Sequence, residues 1–260
     1  VTWFLTGMEK HSDDCRMDLL GNADNFFNAM AYHGANMSMP SWMTSMNELS
    51  NHDHSRFLTR TNHKVGRINN LGPEAANQDV NKAVLMEAVV IQMTWPGAPT
   101  VYYGDEAGLC GFTDPDNRRT YPWGREDHKL IEFHREIIRM HRRNPEFKRG
   151  STKWLHSDYN FIAYGRFNQT HHSVILINNN DHEITKEMTV WELGIPRETE
   201  MTRLMFTSEK GFSAEPVTYE VTAGRINVTM PKTSAMVLQY TNAEPVMERQ
   251  KVRKNFWQIR

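Results

Sequence analysis

The run Met46-Asn47-Glu48-Leu49-Ser50-Asn51-His52-Asp53-His54-Ser55-Arg56-Phe57 decides how the chain is read. Met46 to Leu49 is a short mixed run suited to a strand. It ends in a cluster of small polar, imidazole and carboxylate side chains. An α/β barrel puts such a cluster at the C-terminal end of a strand, on its active face. A second punctuated block follows at Pro96-Gly97-Ala98-Pro99-Thr100-Val101-Tyr102-Tyr103-Gly104-Asp105-Glu106: a turn, a β-rich run, then a Gly-Asp-Glu loop. Between them, Gln78 to Thr94 carries Val80, Ala83, Val84, Met86, Val89, Val90 and Met93 on nearly every side. That is the pattern of a helix buried by its neighbours, and Trp95-Pro96-Gly97 stops it. Strand, polar loop, helix, strand, polar loop reads as two consecutive β/α units.

Downstream, Asp114 to Gly124 is a long irregular connection, and ordered loops of that length are often functional. Asp127 caps a helix that runs to Arg143, with Leu130, Ile131, His134, Ile137, Ile138 and His141 on one stripe. Upstream, residues 1 to 45 are polar, Met-rich and poorly periodic apart from a short helix over Ala23 to Tyr32. Residues 59 to 77 hold too many helix breakers for a regular element. Composition shifts near Gly150. From there to Tyr240 come short β-rich runs: Phe161–Phe167, Ser173–Asn178, Glu187–Glu192, Met201–Thr207, Val217–Val221, Arg225–Met230 and Ser234–Tyr240. Their spacing predicts an antiparallel β-sandwich. The tail over 242–260 is basic and amphipathic.

The bulk composition excludes several classes. Among 260 residues, 30 basic side chains balance 31 acidic ones, so no electrostatic footprint for nucleic acid exists. No apolar run is long enough to span a membrane. Two cysteines, Cys15 and Cys110, argue against a disulfide framework and suit a reducing, cytoplasmic setting. Oligomeric state is not readable.

The motifs resemble those of a known family. Asn51-His52-Asp53 resembles the sequence at the end of the seventh barrel strand in α-amylase family glycoside hydrolases. Gly97-Ala98-Pro99-Thr100-Val101-Tyr102-Tyr103-Gly104-Asp105-Glu106-Ala107-Gly108 resembles that family's eighth-strand signature. Asp114-Pro115-Asp116-Asn117-Arg118 resembles the loop that follows, especially in the neopullulanase, cyclomaltodextrinase and maltogenic amylase branch. The resemblance runs from about Ala23 to about Tyr240. It implies an α/β plus all-β chain: the C-terminal part of a (β/α)8 TIM barrel over 1–148, then a β-sandwich domain over 149–241.

The resemblance also implies chemistry. Glycoside hydrolysis of the common type uses two carboxyl groups around an oxocarbenium-like transition state, and a further carboxylate can stabilise the developing charge. Asp53 takes that third, catalytic role by resemblance. His52 hydrogen-bonds the same sugar, Asn51 supports the pair, and Asp114 and Arg118 contact substrate from the following loop. The implied substrate is an α-glucan or maltooligosaccharide, cleaved with retention at an α-1,4 or α-1,6 bond. No cofactor is implied in this chain; calcium serves parts of the family. Against these readings stand ordinary ones. An Asp–Arg pair on a loop is commonly a surface salt bridge, and Asp105-Glu106 at a strand end suit a structural or rim role. His52, Asp53, His54 and His63 suggest a metal site, but adjacent residues of an extended strand point to opposite faces. A triad of Ser50 or Ser55 with His and Asp requires geometry that adjacency does not supply.

The family's nucleophile Asp, within Gly-x-Arg-x-Asp, and its acid Glu have no match before Asn51. A barrel of eight units takes roughly 250 residues, and about 50 precede Asp53. Two expectations follow. In one, the chain is the C-terminal piece of a longer hydrolase whose catalytic pair lies upstream. In the other, it is a complete, non-catalytic carbohydrate-binding or interaction protein built on that fold. Either way the chain alone is expected to be inactive. Residues 1–145 are expected to aggregate by themselves, through unpaired strand edges, and 150–240 to fold alone.

Overall fold

The computed structural model describes residues 1–242. The tail expected over 242–260 therefore lies outside the described residues, Asn242 excepted.

Helices α1 (Thr2–Thr6), α2 (Ala23–Ala35) and α3 (Met39–Met43) lead to strand β1 (Met46–Glu48). Short helices α4 (Phe57–Arg60) and α5 (Ile68–Leu71) and a 3-10 turn at Pro73–Asn77 occupy the stretch read as a loop. Helix α6 (Lys82–Thr94) leads to β2 (Ala98–Thr100), and the two strands pair in parallel with Met46 opposite Ala98. Helix α6 starts four residues later than the apolar pattern predicts. Asp79 has a positive φ of 58°, and the Asn81 side chain accepts from the amides of Ala83 and Val84. That cap fixes the first turn. Helices α7 (His128–Arg143) and α8 (Pro145–Arg149) complete this part, with Asp127 capping α7 as expected.

The remainder is antiparallel: β3 (Ser151–Asp158), β4 (Phe161–Phe167), β5 (His171–Asn178), β6 (Ile184–Thr189), β7 (Thr199–Ser208), β8 (Gly211–Ser213), β9 (Thr218–Thr222), β10 (Arg225–Met230) and β11 (Ser234–Thr241). The expected sandwich of two sheets is instead one continuous sheet in the order β3-β4-β5-β11-β7-β9-β10-β6, with β8 on β7. The sheet curls on itself. Met188, Ile226 and Val228 from one end share a core with Phe161, Ala163, Val174 and Leu176 from the other. The end strands meet through an ion pair, Lys186 Nζ to Asp158 Oδ2 at 2.6 Å.

Period-two alternation places the opposite side chains on the outer face. Ile162, Tyr164, Ile175, Ile177, Met205, Ala235 and Val237 pack there into one core with Phe4, Phe27, the buried side of α6, and Phe133 and Phe147. The outer face of the sheet thus buttresses α6, whose residues from Ala83 to Thr94 are all buried. Helix α6 in turn supports β1 and β2, which carry the site. Among the described residues no helix is long and apolar enough to cross a membrane.

Candidate active site

Two loops leave the C-terminal ends of the paired parallel strands. One follows β1 from Leu49; the other follows β2 from Val101. Asn51, His52 and Asp53 sit on the first, Asp114 and Arg118 on the second. The structure brings all five together. Arg118 Nε donates to the His52 carbonyl at 3.1 Å and lies 2.8 Å from Asp114 Oδ1. Its Nη2 lies 4.0 Å from Asp53 Oδ1. His52 Nε2 lies 3.5 Å from the same Asp53 oxygen. The chain bends here rather than running extended, so the adjacent side chains of His52 and Asp53 converge instead of pointing apart.

Asn51 plays a structural part. Its Oδ1 accepts from the amides of Asp53 (2.9 Å) and His54 (3.0 Å), an Asx turn, while its Nδ2 donates to Glu48 Oε1 at 2.6 Å. The side chains of His52 and Asp53 are 68% and 60% exposed, those of Asp114 and Arg118 46% and 48%. The site is a polar surface with acceptors and donors facing solvent, and such groups bind hydroxyls without a large desolvation cost.

Residues that sequence reasoning did not single out hold the loops in place. The fully buried Asn117 donates through Nδ2 to the carbonyls of Asn51 (2.9 Å) and His54 (2.6 Å), stitching the second loop to the first. The Thr113 hydroxyl donates to the Asp53 carbonyl, and His11 Nδ1 meets that hydroxyl at 2.8 Å. His11 comes from the N-terminal segment and packs edge-on against His54 at 5.0 Å. Burial first, then Lys10, Arg60 and His11, hold the His54 imidazole below its usual pKa.

Beneath the loops lies Arg56, fully buried. Its guanidinium donates to the Asn117 carbonyl (2.9 Å), the Tyr103 carbonyl (2.7 Å) and Asp105 Oδ1 (2.9 Å), under the rings of Tyr102 and Tyr103. Burial pushes the Asp105 carboxyl up, against the pull of Arg56. Asp105 is therefore spent on an internal ion pair that ties the β2 loop to the β1 loop. Arg119, next to Arg118, braces the β2 loop internally by gripping Asp116 through Nε (3.0 Å) and Nη2 (2.8 Å).

Comparison with known proteins bears on this geometry. The family model for the alpha amylase catalytic domain matches residues 5–221. The chain belongs to the alpha-amylase family. An amylopullulanase of Thermoanaerobacterium saccharolyticum is 30% identical over 217 residues, covering 77% of this chain and 16% of that protein. Neopullulanase 2 of Thermoactinomyces vulgaris is 35% identical over 152 residues, covering 57% of this chain and 23% of its own length. The chain thus spans under a quarter of these alpha-amylase family relatives. Among solved structures, the native debranching enzyme of Nostoc punctiforme superposes with a TM-score of 0.69 at 21% identity, over 92% of this chain and 46% of that one. An alpha-amylase of Geobacillus thermoleovorans, complexed with acarbose, gives 0.65 at 22% identity, over 85% and 44%. These likenesses establish the shared alpha-amylase family fold.

Proposed function

We propose that this chain is the C-terminal part of a (β/α)8 glycosidase with its β domain, and that it contributes one wall of a site that cleaves α-glucosidic bonds in starch-derived oligosaccharides. Asp53 is the carboxylate that stabilises positive charge on the sugar ring. His52 and the Asp114–Arg118 pair bind hydroxyls, and Asn51 holds the turn that aims them. The nucleophile and the general acid come from outside this chain, so the chain by itself binds glucan and does not hydrolyse it. The observation that carries the reading is the convergence of His52, Asp53, Asp114 and Arg118 at the C-terminal ends of two adjacent parallel strands. That is the end where barrel enzymes build their sites. Names of the relatives, amylopullulanase and neopullulanase, support an α-glucan as the substrate class.

Calorimetric titration of the 260-residue chain with maltoheptaose tests it. We expect binding that weakens at least about tenfold in Asp53→Asn and Arg118→Ala, a loss of about 1.4 kcal/mol, with no sugar released. Equal affinity for cellohexaose would sink the substrate assignment. Glucan turnover by the wild-type chain, lost in Asp53→Asn, would overturn the division of the catalytic groups.

A further inference from the structure

The Asp53 carboxylate has no close side-chain clamp. It lies 3.5 Å from His52 Nε2 and 4.0 Å from Arg118 Nη2, both beyond the hydrogen-bond length of about 2.7–3.2 Å. Its backbone is held instead, from two sides. The Asp53 amide donates to Asn51 Oδ1, and the Asp53 carbonyl accepts from the Thr113 hydroxyl. Behind Thr113, itself buried, stands the half-buried His11, with Nδ1 2.8 Å from the Thr113 oxygen.

His11 sits in a turn closed by the bridge between Met8 and Cys15. Glu9 Oε2 accepts the His11 amide at 2.6 Å. The turn is tied to the loop after β1: the Lys10 carbonyl accepts from the Ser55 amide at 3.1 Å and from the Ser55 hydroxyl at 3.0 Å. That hydroxyl has spent its proton, so the Ser12 hydroxyl, 2.8 Å away, donates to it. His11 is thus anchored on the first loop and reaches Thr113 on the second. The same counting fixes the proton on its ring. Thr113 has one hydroxyl proton and gives it to the Asp53 carbonyl, which can only accept. Nδ1 must therefore be the donor to Thr113, and neutral His11 keeps Nε2 bare.

We infer that His11 is a positioning residue: its Nδ1–H, relayed by the Thr113 hydroxyl, pins the Asp53 carbonyl and so aims the Asp53 carboxylate. A hydroxyl with a donor behind it is polarised and makes a stronger bond ahead. Apart from Thr113, the Asp53 carbonyl accepts only the Asp114 amide, at 3.4 Å. A functional group held through its backbone owes its aim to such supports, and a loose support is felt in binding.

The inference rests on the α-glucan reading only where affinity is the readout. The 260-residue chain is compared with His11→Ala, His11→Asn, His11→Gln and Thr113→Val, with thermal melting as the check on folding. Asn presents an amide N–H at the place of Nδ1, and Gln at the place of Nε2. We expect imidazole 15N spectra of the wild type at pH 8 to show His11 protonated on Nδ1 alone. The Asp53 carbonyl 13C resonance is expected to move in His11→Ala, His11→Gln and Thr113→Val, and to stay in place in His11→Asn. Those three are expected to bind maltoheptaose about fivefold more weakly, as the loss of one hydrogen bond gives, and His11→Asn to bind at near wild-type strength. A proton on Nε2, equal rescue by Asn and Gln, or wild-type affinity in Thr113→Val would each overturn the positioning role. The expected spectra with no maltoheptaose binding by the wild type would support the relay and overturn the α-glucan reading.

Discussion

Glu87 sits on α6 in the middle of a helix with no exposed face, and neither carboxylate oxygen has a side-chain partner. Burial pushes its carboxyl well above the usual carboxylate range, and only the Ser234 backbone draws it back. A group whose folded pKa is raised binds its proton more tightly when folded. Its stabilising contribution is complete below the unfolded value of about 4.3 and is lost as the pH climbs through the raised one. Each unit of that rise costs about 1.4 kcal/mol of stability. We therefore expect Glu87→Gln to unfold at higher urea concentration than wild type at pH 8, and to lose part of the decline between pH 5 and 8. Parallel pH profiles for the two proteins would refute this. At the same scale, Asn51, His52 and Asp53 stood out as a polar cluster at a strand end, whereas Asp114 and Arg118 stood out only through the family resemblance of their loop; the structure brings the five side chains near one another. His11 was illegible: it reaches Thr113 across 102 residues of sequence, and no local signal in an aperiodic segment encodes such a contact.

Among the elements, β4 carries the joint. Arg166 is fully buried, and its guanidinium donates to the carbonyls of Thr94 at the end of α6, of Glu146 (2.8 Å) and Phe147 (3.2 Å) in α8, and of Gly150 (3.1 Å) and Ser151 (3.3 Å) leading into β3. Thr94 closes α6, and a cation beside a helix C-terminus is favoured; the Glu146 carbonyl also accepts the Gly150 amide. Burial lowers its pKa only to about 10, so it is charged at neutral pH. Arg166→Met strands several buried acceptors at once. We expect a loss on the order of 3–5 kcal/mol, read as a fall in the denaturant midpoint; a loss under about 1 kcal/mol would show that water replaces the guanidinium. Element identity was largely legible from period and punctuation, and Phe161–Phe167 and Arg225–Met230 end where the pattern puts them. Strand β3 escaped because Ser151, Thr152, Lys153, Ser157 and Asp158 give it little apolar alternation. The run at Glu187–Glu192 was placed three residues late, since Trp191 and Leu193 belong to a 3-10 turn and not to β6. Pairing was not legible at all. Alternation tells which side chains face inward, and says nothing of β11, the last strand, lying between β5 and β7.

For the whole molecule, the shared core changes what separation of the two parts would do. The outer sheet face buries Ile162, Tyr164, Ile175, Ile177, Met205 and Val237 against the helical part. Residues 149–242 expressed alone would expose that row, a contiguous apolar patch of the kind that drives association. Instead of the independent folding read from composition, we expect the excised piece to self-associate and to melt below the intact chain. A monomeric excised piece with the melting temperature of the full chain would contradict this. Separation would also strip α6 of its backing and leave β1 and β2, a two-stranded sheet too small to stand alone.

The curled sheet has a bearing on crowding. A sheet invites other chains where its last strands offer unpaired amides and carbonyls. Here the two terminal strands face each other, and the meeting is sealed by opposite charges, Lys186 on β6 and Asp158 on β3. An incoming strand at that margin would compete with this pair, a partly exposed contact worth about 0–1 kcal/mol. The two halves of the chain thus present their strand edges differently: β1 and β2 form a small open pair, while the β domain turns the margins of β3 and β6 toward each other and leaves the short β8 as an outer edge on β7.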